Sequence, residues 1–348
     1  MKDGIHQILD SDGHLRPGTI PSLDEEFVLE ALRRMMISRE CDAKFTALNR
    51  QGRLGVVSPV EGQEASVIGS AMAFEPQTDW LIPQYRELPA YLIWGFPLAK
   101  HILNLMGNPI PGRIPHDVKM LPTQIAIGAQ LPHAVGLAWG LQIQGISGIV
   151  LAYCGDGATS EGDFHEACNL AGVLKAPIVF FVQNNQWAIS TPRSYQSAAR
   201  YLSDRAPGYG IAGEVVDGND LLAVYDVTRD AVKRARAGDG PTLIEALTYR
   251  MSFHNTSDQP SRYRDAAEVN EQRRLDPLRR VQAYLASRGM WSDERERLFR
   301  EEAVQYVEAA VNEALQAQPP EPSQIFDHVF AELTPRQRAQ RRGLLAAE

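Results

Sequence analysis

The stretch GIVLAYCGDGATSEGDFHEACNLAGVLKAPIVFFVQNN (residues 148–185) decides the architecture. It holds two short apolar runs, GIVLAY (148–153) and PIVFFV (177–182), rich in β-branched and aromatic residues. Runs of that length without alternation read as parallel strands buried on both faces. Between them, Phe164, Ala167, Cys168, Ala171 and Leu174 recur three or four apart, which predicts a helix over 160–174. Glu161 and Asp163 in its first turn suit the positive amino end of a helix. A strand–helix–strand unit in a parallel sheet brings both strand ends to one edge. Asp156 and Asn185, 29 residues apart, then stand at adjacent strand ends, where open α/β sheets take their ligands. A carboxylate and an amide oxygen meeting there suit a hard cation whose remaining positions go to phosphate oxygens.

A dinucleotide-binding turn is the nearest rival, because Gly155-Asp156-Gly157 also follows a strand and opens a helix. Such a turn wants glycine or alanine where this chain has Ser160. Asp156 argues more strongly against it, since a carboxylate facing pyrophosphate is repelled unless a cation intervenes. No acidic residue follows the second strand to grip a ribose.

The chain has 348 residues, 44% hydrophobic and 22% charged, an ordinary soluble composition. Its net charge of −8 gives no electrostatic support to a nucleic-acid partner. No apolar run approaches membrane length, and the first residues lack the apolar core of a signal peptide. Cys41, Cys154 and Cys168 have neither paired nor metal-type spacing. The expected location is the cytoplasm.

Outward from the central unit, residues 1–21 are polar and punctuated by Gly and Pro, and read as an arm on a neighbour or a disordered tail. Residues 22–265 read as one α/β domain. It opens with a helix over 22–49, for which Ser22 and Glu25 form a candidate capping box. A second helix carries the small face Ala65, Gly69, Ala73, and a short strand at 80–82 leads into Gln84-Tyr85-Arg86. Helices are expected over 88–107 and 129–144, separated by a Pro/Gly-rich loop. After the central unit come a strand within EVVDGND, a helix over 220–237, and a strand within PTLIEALTY (241–249). MSFHNTSDQPSRYRD (251–265) is polar and without period, a long loop. Residues 266–348 read as a charged helical extension. The expected fold is therefore α/β: a doubly wound parallel sheet flanked by helices.

Gly-Asp-Gly closing near thirty residues later at Asn-Asn resembles the thiamine diphosphate motif. That resemblance implies Mg²⁺ held by Asp156, the Asn185 side chain and the backbone carbonyl of Trp187, with diphosphate oxygens completing the shell. Residue types alone leave Asn184 and Asn185 both open. Gly155, Gly157 and Ala158 would bring backbone N–H groups to the diphosphate.

The likeness extends over nearly the whole chain, through LNRQGRLG (48–55), EGQEA (61–65), PQYRE (83–87), IGAQLPHAVG (127–136), VQNNQWAISTP (182–192), GPTLIEALTYR (240–250) and SDQPSRYR (257–264). The chain resembles the alpha subunit of the decarboxylating component of 2-oxo acid dehydrogenase complexes. By that resemblance Gln84, Tyr85 and Arg86 form a cofactor-contacting turn, with Tyr85 and Arg86 on the diphosphate side. Ile125 and Ile127 flank the aminopyrimidine. His254 faces the cofactor and helps pass the acyl group to a lipoyl arm, work suited to a near-neutral pKa. Arg250, Tyr263 and Arg264 flank that loop and could order it.

Three residues depart from family patterns. Asn255 replaces a phosphorylatable serine, Gln183 an arginine or glutamate, and Ala129 a threonine that helps hold potassium in branched-chain relatives.

The resemblance also implies a beta subunit supplying the activating glutamate, an α₂β₂ tetramer, and a lipoylated transacylase component as acyl acceptor. The substrate implied is a 2-oxo acid. NNQWAIST, HNTSD and the tail QIFDHVFAEL lean toward branched-chain acids, LNRQGRLG and IGAQ toward pyruvate, and an acetoin-cleaving relative comes third. The alternative from another class is a non-catalytic scaffolding subunit, against which Asp156, Asn185 and His254 argue.

Overall fold

The computed structural model describes residues 4–108, 111–327 and 329–346. Five strands form one parallel sheet: β1 (Trp80–Ile82), β2 (Val150–Gly155), β3 (Ile178–Asn184), β6 (Ala212–Asp217) and β7 (Thr242–Leu247), in the order β1-β2-β3-β7-β6. A two-residue antiparallel ladder, β4 (Trp187–Ala188) with β5 (Thr191–Pro192), sits just beyond the β3 exit. The apolar runs are continuous because both sheet faces are covered. Leu151, Tyr153, Val179 and Phe181 enter one core with α1 (Glu25–Arg50), α2 (Glu64–Ala71) and α7 (Leu221–Arg236). Val150, Ala152, Cys154, Phe180 and Val182 enter the other with α5 (Gln130–Ile143) and α6 (Gly162–Leu174). The period of two survives in the packing, although both faces are apolar.

Several boundaries differ from expectation, each for a local reason. Helix α1 is capped by Asp24, whose Oδ1 accepts from Phe27 N at 2.8 Å, while Ser22 bonds Asp226 instead of closing a capping box. The span 88–107 holds two helices, α3 (Leu88–Ile93) and α4 (Leu98–Leu105). Gly95 at φ +83° and Pro97, which precedes the first turn of α4, separate them. The acidic turn Asp156–Ser160 forms its own 3₁₀ turn, and α6 starts only at Gly162.

Residues 4–21 pack on this chain itself. His6 bridges Val216 in parallel, and the Ile8 and Leu9 amides donate to Asp220 Oδ2 at 2.6 and 2.7 Å. Arg280 holds the Leu9 and Asp10 carbonyls. The arm thus closes the β6 edge, while Met120 bridges Leu81 at the β1 edge, so neither edge offers a long open ladder.

Beyond residue 265 come α8 (Ala266–Gln272), α9 (Pro277–Ser287), α10 (Asp293–Leu315) and α11 (Pro335–Leu345). Helix α10 buries Ala303, Val307, Ala310, Val311 and Ala314 along α1 and α4. Its charged face is laced by Arg297 with Glu294 and Glu301, and by Arg300 with Glu296.

Candidate cofactor site at the strand ends

The β2–β3 register pairs Gly155 with Gln183, so Asp156 and Asn185 leave the sheet at neighbouring exits. Above them opens a cavity of about 1320 Å³, larger than the several hundred cubic ångströms typical of one ligand. Gln84, Tyr85, Arg86, Ile125, Ile127, Gly155, Asp156, Gly157, Ala158, Asn185, Trp187 and His254 all line it. The residues assigned to cofactor and metal from the sequence therefore all border one space; Arg250, Tyr263 and Arg264 are not among its lining.

Asp156 is 2% exposed. Burial pushes its pKa up to about 6, against backbone amides at Asp156 and Asn185, the Arg250 charge and Gln196 Nε2, which donates at 3.3 Å. A carboxylate so poorly solvated that these partners do not offset its burial is costly unless a cation joins it. Asn185 also faces the cavity; its Nδ2 donates to Gln63 Oε1 at 3.1 Å, and its Oδ1 accepts from Trp187 N at 3.2 Å. Asn184 turns away and donates to the buried Glu245 at 2.6 Å. The two asparagines, equivalent as residue types, are separated by strand alternation.

The chain then bends sharply. Gln186 and Ile189 hold φ of +73° and +54°, a strained region for side-chain-bearing residues, and unusual twice in four positions. Arg250 braces this turn by donating to the Trp187 and Ile189 carbonyls at 3.0 and 2.7 Å. Gly157 is required by space: a Cβ there would stand 2.7 Å from Ala188 Cβ. The acidic turn can lie against the β4 ladder only because position 157 is bare.

Arg86 is buried and crosses between loops, donating to the Pro59 carbonyl at 2.5 Å and to the His254 carbonyl at 3.1 Å. Tyr85 packs edge-on to the His254 ring at 6.1 Å. His254 Nδ1 lies 3.4 Å from both Arg86 Nη2 and Arg250 Nη1. Two guanidinium donors at Nδ1 assign it as acceptor and leave the proton on Nε2. Burial first, then these two cations, lower the His254 pKa to about 4, below the near-neutral value expected from its type. The ring is neutral at physiological pH. Asp258 orders the loop by accepting from His254 N at 2.8 Å and from the Tyr263 hydroxyl at 2.5 Å. Ile127 packs partly into the α5–α6 core, whereas Ile125 is 71% exposed at the cavity mouth.

Sequence reasoning missed Glu87 as an organiser. Its buried carboxylate accepts from the Gln84 and Arg86 amides at 3.0 and 3.1 Å, folding the Gln-Tyr-Arg turn over itself. Its other oxygen takes the Gln183 amide at 2.5 Å, which accounts for glutamine at that position. The only sequence signal was an acidic residue directly after Arg86. Gln63, which holds Asn185, was quoted within EGQEA and given no role.

Among the described residues no cluster of three His, Cys, Asp or Glu side chains could hold a metal, so any cation here relies on one carboxylate with neutral oxygens and the ligand's own. None of the described helices is long and apolar enough to cross a membrane. Residues 32–323 match the family described as "Dehydrogenase E1 component". The chain is 44% identical over 326 residues to the "3-methyl-2-oxobutanoate dehydrogenase subunit alpha" of Mycobacterium tuberculosis, covering 93% of this chain and 88% of that protein. It is 41% identical over 329 residues to the "Pyruvate dehydrogenase E1 component subunit alpha" of Staphylococcus epidermidis, covering 94% and 89%. With Staphylococcus aureus it shares 43% over 310 residues of a chain of that same name, covering 88% and 84%. A parallel sheet carrying this strand-end site, and a match that takes in every one of its lining residues named above, place the chain in the Dehydrogenase E1 component family.

Proposed function

We propose that this chain is the diphosphate- and metal-holding alpha subunit of a 2-oxo acid dehydrogenase, acting in oxidative decarboxylation and in acylation of a lipoyl group on a transacylase component. The observation that carries the reading is Asp156, a nearly fully buried carboxylate whose pKa stays raised despite its hydrogen bonds, beside the Asn185 side chain. Its surroundings fit a divalent cation bridging to diphosphate: one negative charge, a neutral amide oxygen, a nearby carbonyl at Trp187, and a bare Gly157 that lets backbone come close. Mg²⁺ held by Asp156, Asn185 and Trp187 is the assignment. Thiamine diphosphate, when bound, supplies the carbanion and electron sink for the decarboxylation.

The chain's own groups do the remaining work. Asp156 and Asn185 anchor the cation end, and Arg86 adds fixed positive charge at the β1 exit. Ile125 and Ile127 offer apolar surface at the mouth. His254 presents Nε2–H as a donor from a neutral ring, positioned by Arg86, Arg250 and Asp258. That geometry suits a hydrogen bond to the sulfur that leaves as thiolate when the lipoyl disulfide is opened and its other sulfur takes the acyl group.

A beta subunit supplies the groups around the aminopyrimidine, in an α₂β₂ assembly located in the cytoplasm. The relatives divide between branched-chain and pyruvate enzymes. The apolar walls at Val56, Val57, Phe45 and Leu105 lean toward 3-methyl-2-oxobutanoate over pyruvate.

The test is a decarboxylation assay of the chain reconstituted with its beta partner, with both acids as substrates. Turnover dependent on thiamine diphosphate, Mg²⁺ and the beta subunit is the expected result; full activity of the alpha chain alone would sink the half-site reading.

A further inference from the structure

Gln63 lies directly before α2, a helix whose eight residues are all buried. Its side chain makes no capping bond, although its position invites one. The turn beneath it is immobilised. Gly62 stands at φ +95°, and a Cβ there would meet the Tyr249 carbonyl at 2.3 Å. Thr248 Oγ1 donates to the Gly62 carbonyl at 2.7 Å. Gln63 itself is fully buried and lines the cavity.

The orientation of its amide follows from a backbone donor. Trp187 N–H can only donate, so the Asn185 atom it meets at 3.2 Å is Oδ1. Asn185 Nδ2 therefore faces Gln63, and the Gln63 atom that accepts at 3.1 Å is Oε1. The chain of assignments leaves Gln63 Nε2 as a buried donor with no partner among the described residues. Such a group needs a partner that the described residues do not supply, and Gln63 borders the cavity in which a bound one would lie.

We propose that Gln63 is a positioning and binding residue of this site: its Oε1 locks the Asn185 amide so that Oδ1 faces the cation, and its Nε2 donates to a diphosphate oxygen. The inference rests on the proposed diphosphate and metal site and adds a residue to it. Two functions on one amide also explain why glutamine is needed. A glutamate keeps the acceptor for Asn185 but has no donor and repels the diphosphate. A methionine keeps the volume and has neither group.

The experiment titrates the reconstituted alpha–beta complex, by calorimetry, with Mg²⁺ alone and with inorganic diphosphate at saturating Mg²⁺. Loss of a partner that orients a metal ligand typically costs 10–100-fold in metal affinity. Gln63→Met is expected to weaken Mg²⁺ by about tenfold or more on that basis, and diphosphate as well. Gln63→Glu is expected to keep Mg²⁺ affinity within about threefold while diphosphate weakens by at least about tenfold, because the carboxylate still accepts from Asn185 but loses its donor.

In an Asn185→Ala background, Gln63→Met is expected to cost no further Mg²⁺ affinity, because its route to the cation is already gone. A purely structural glutamine would give the same loss in both backgrounds. That result, or Gln63 variants binding both probes within twofold of the native complex, overturns the inference. Melting temperatures without ligand report whether each variant folds; should Gln63→Met not fold, the metal-against-diphosphate split in Gln63→Glu decides alone. A native complex that binds no diphosphate with Mg²⁺ overturns the site itself, a failure distinct from unaffected Gln63 variants.

Discussion

Asp156 and His254 carry opposite electrostatic strains in one cavity: one is a carboxylate short of positive charge, the other an imidazole surrounded by it. Asp156→Ala removes the only carboxylate in the proposed metal set without leaving a buried charge. The fold and melting temperature are expected to stay near native, while Mg²⁺-dependent cofactor binding is lost; calorimetry on the reconstituted complex checks this. His254 yields a pH prediction. Its folded value of about 4 lies below the unfolded reference of 6.5, so the native state takes up its proton later than the unfolded chain does. Above pH 6.5 both states are neutral and the group is silent. As pH falls from 6.5 toward 4, protonation favours the unfolded chain and stability declines. The melting-temperature advantage of the native subunit over His254→Gln is therefore expected to shrink across that window, and a gap independent of pH would contradict the charged surroundings. Above pH 6 the acyl-transfer rate is expected to show no inflection from this ring.

Among the elements, strands and helices were legible where residue type alone decides them. The runs 148–153 and 177–182 are β-branched and apolar enough that no other element buries them, and the exits of β2 and β3 follow from chain direction. What stayed hidden are choices made by distant partners. Ser22 and Asp24 are both good caps, but Asp226 engages Ser22 and Asp24 takes the helix. Glu87 and Gln63 gain their roles from residues 96 and 122 positions away, a separation that carries no periodic signal. The docking of residues 4–21 was missed for the same reason. Asp220, buried, accepts from the Ile8, Leu9, Leu222 and Ala223 amides, capping α7 and gripping the arm with one carboxylate. Asp220→Ala orphans both sets of donors and is expected to cost roughly 2 kcal/mol or more. Chemical denaturation gives that number, and hydrogen exchange at Ile8 and Leu9 reports release of the arm. Unchanged exchange there would show that Arg280 alone suffices.

For the whole molecule, the unfinished character of the cavity is the dominant fact. Ile125, Ile189 and Val56 are 71%, 55% and 54% exposed around its mouth, more apolar surface than an isolated enzyme would leave beside its chemistry. Adding the beta subunit is expected to slow hydrogen exchange in the segments carrying these three residues; no protection there would place the partner elsewhere. The closure of α10 on α1 has a further consequence, for how the chain is made. Helix α1 leaves the ribosome long before α10, in which it finds much of its packing surface. The β3 edge likewise stays bare until β7 has been synthesised, some sixty residues later. A nascent chain therefore carries an open β3 edge for those sixty residues and an incompletely covered α1 for far longer, and products stalled or truncated between β3 and β7 are exposed to edge-to-edge aggregation that the released chain escapes.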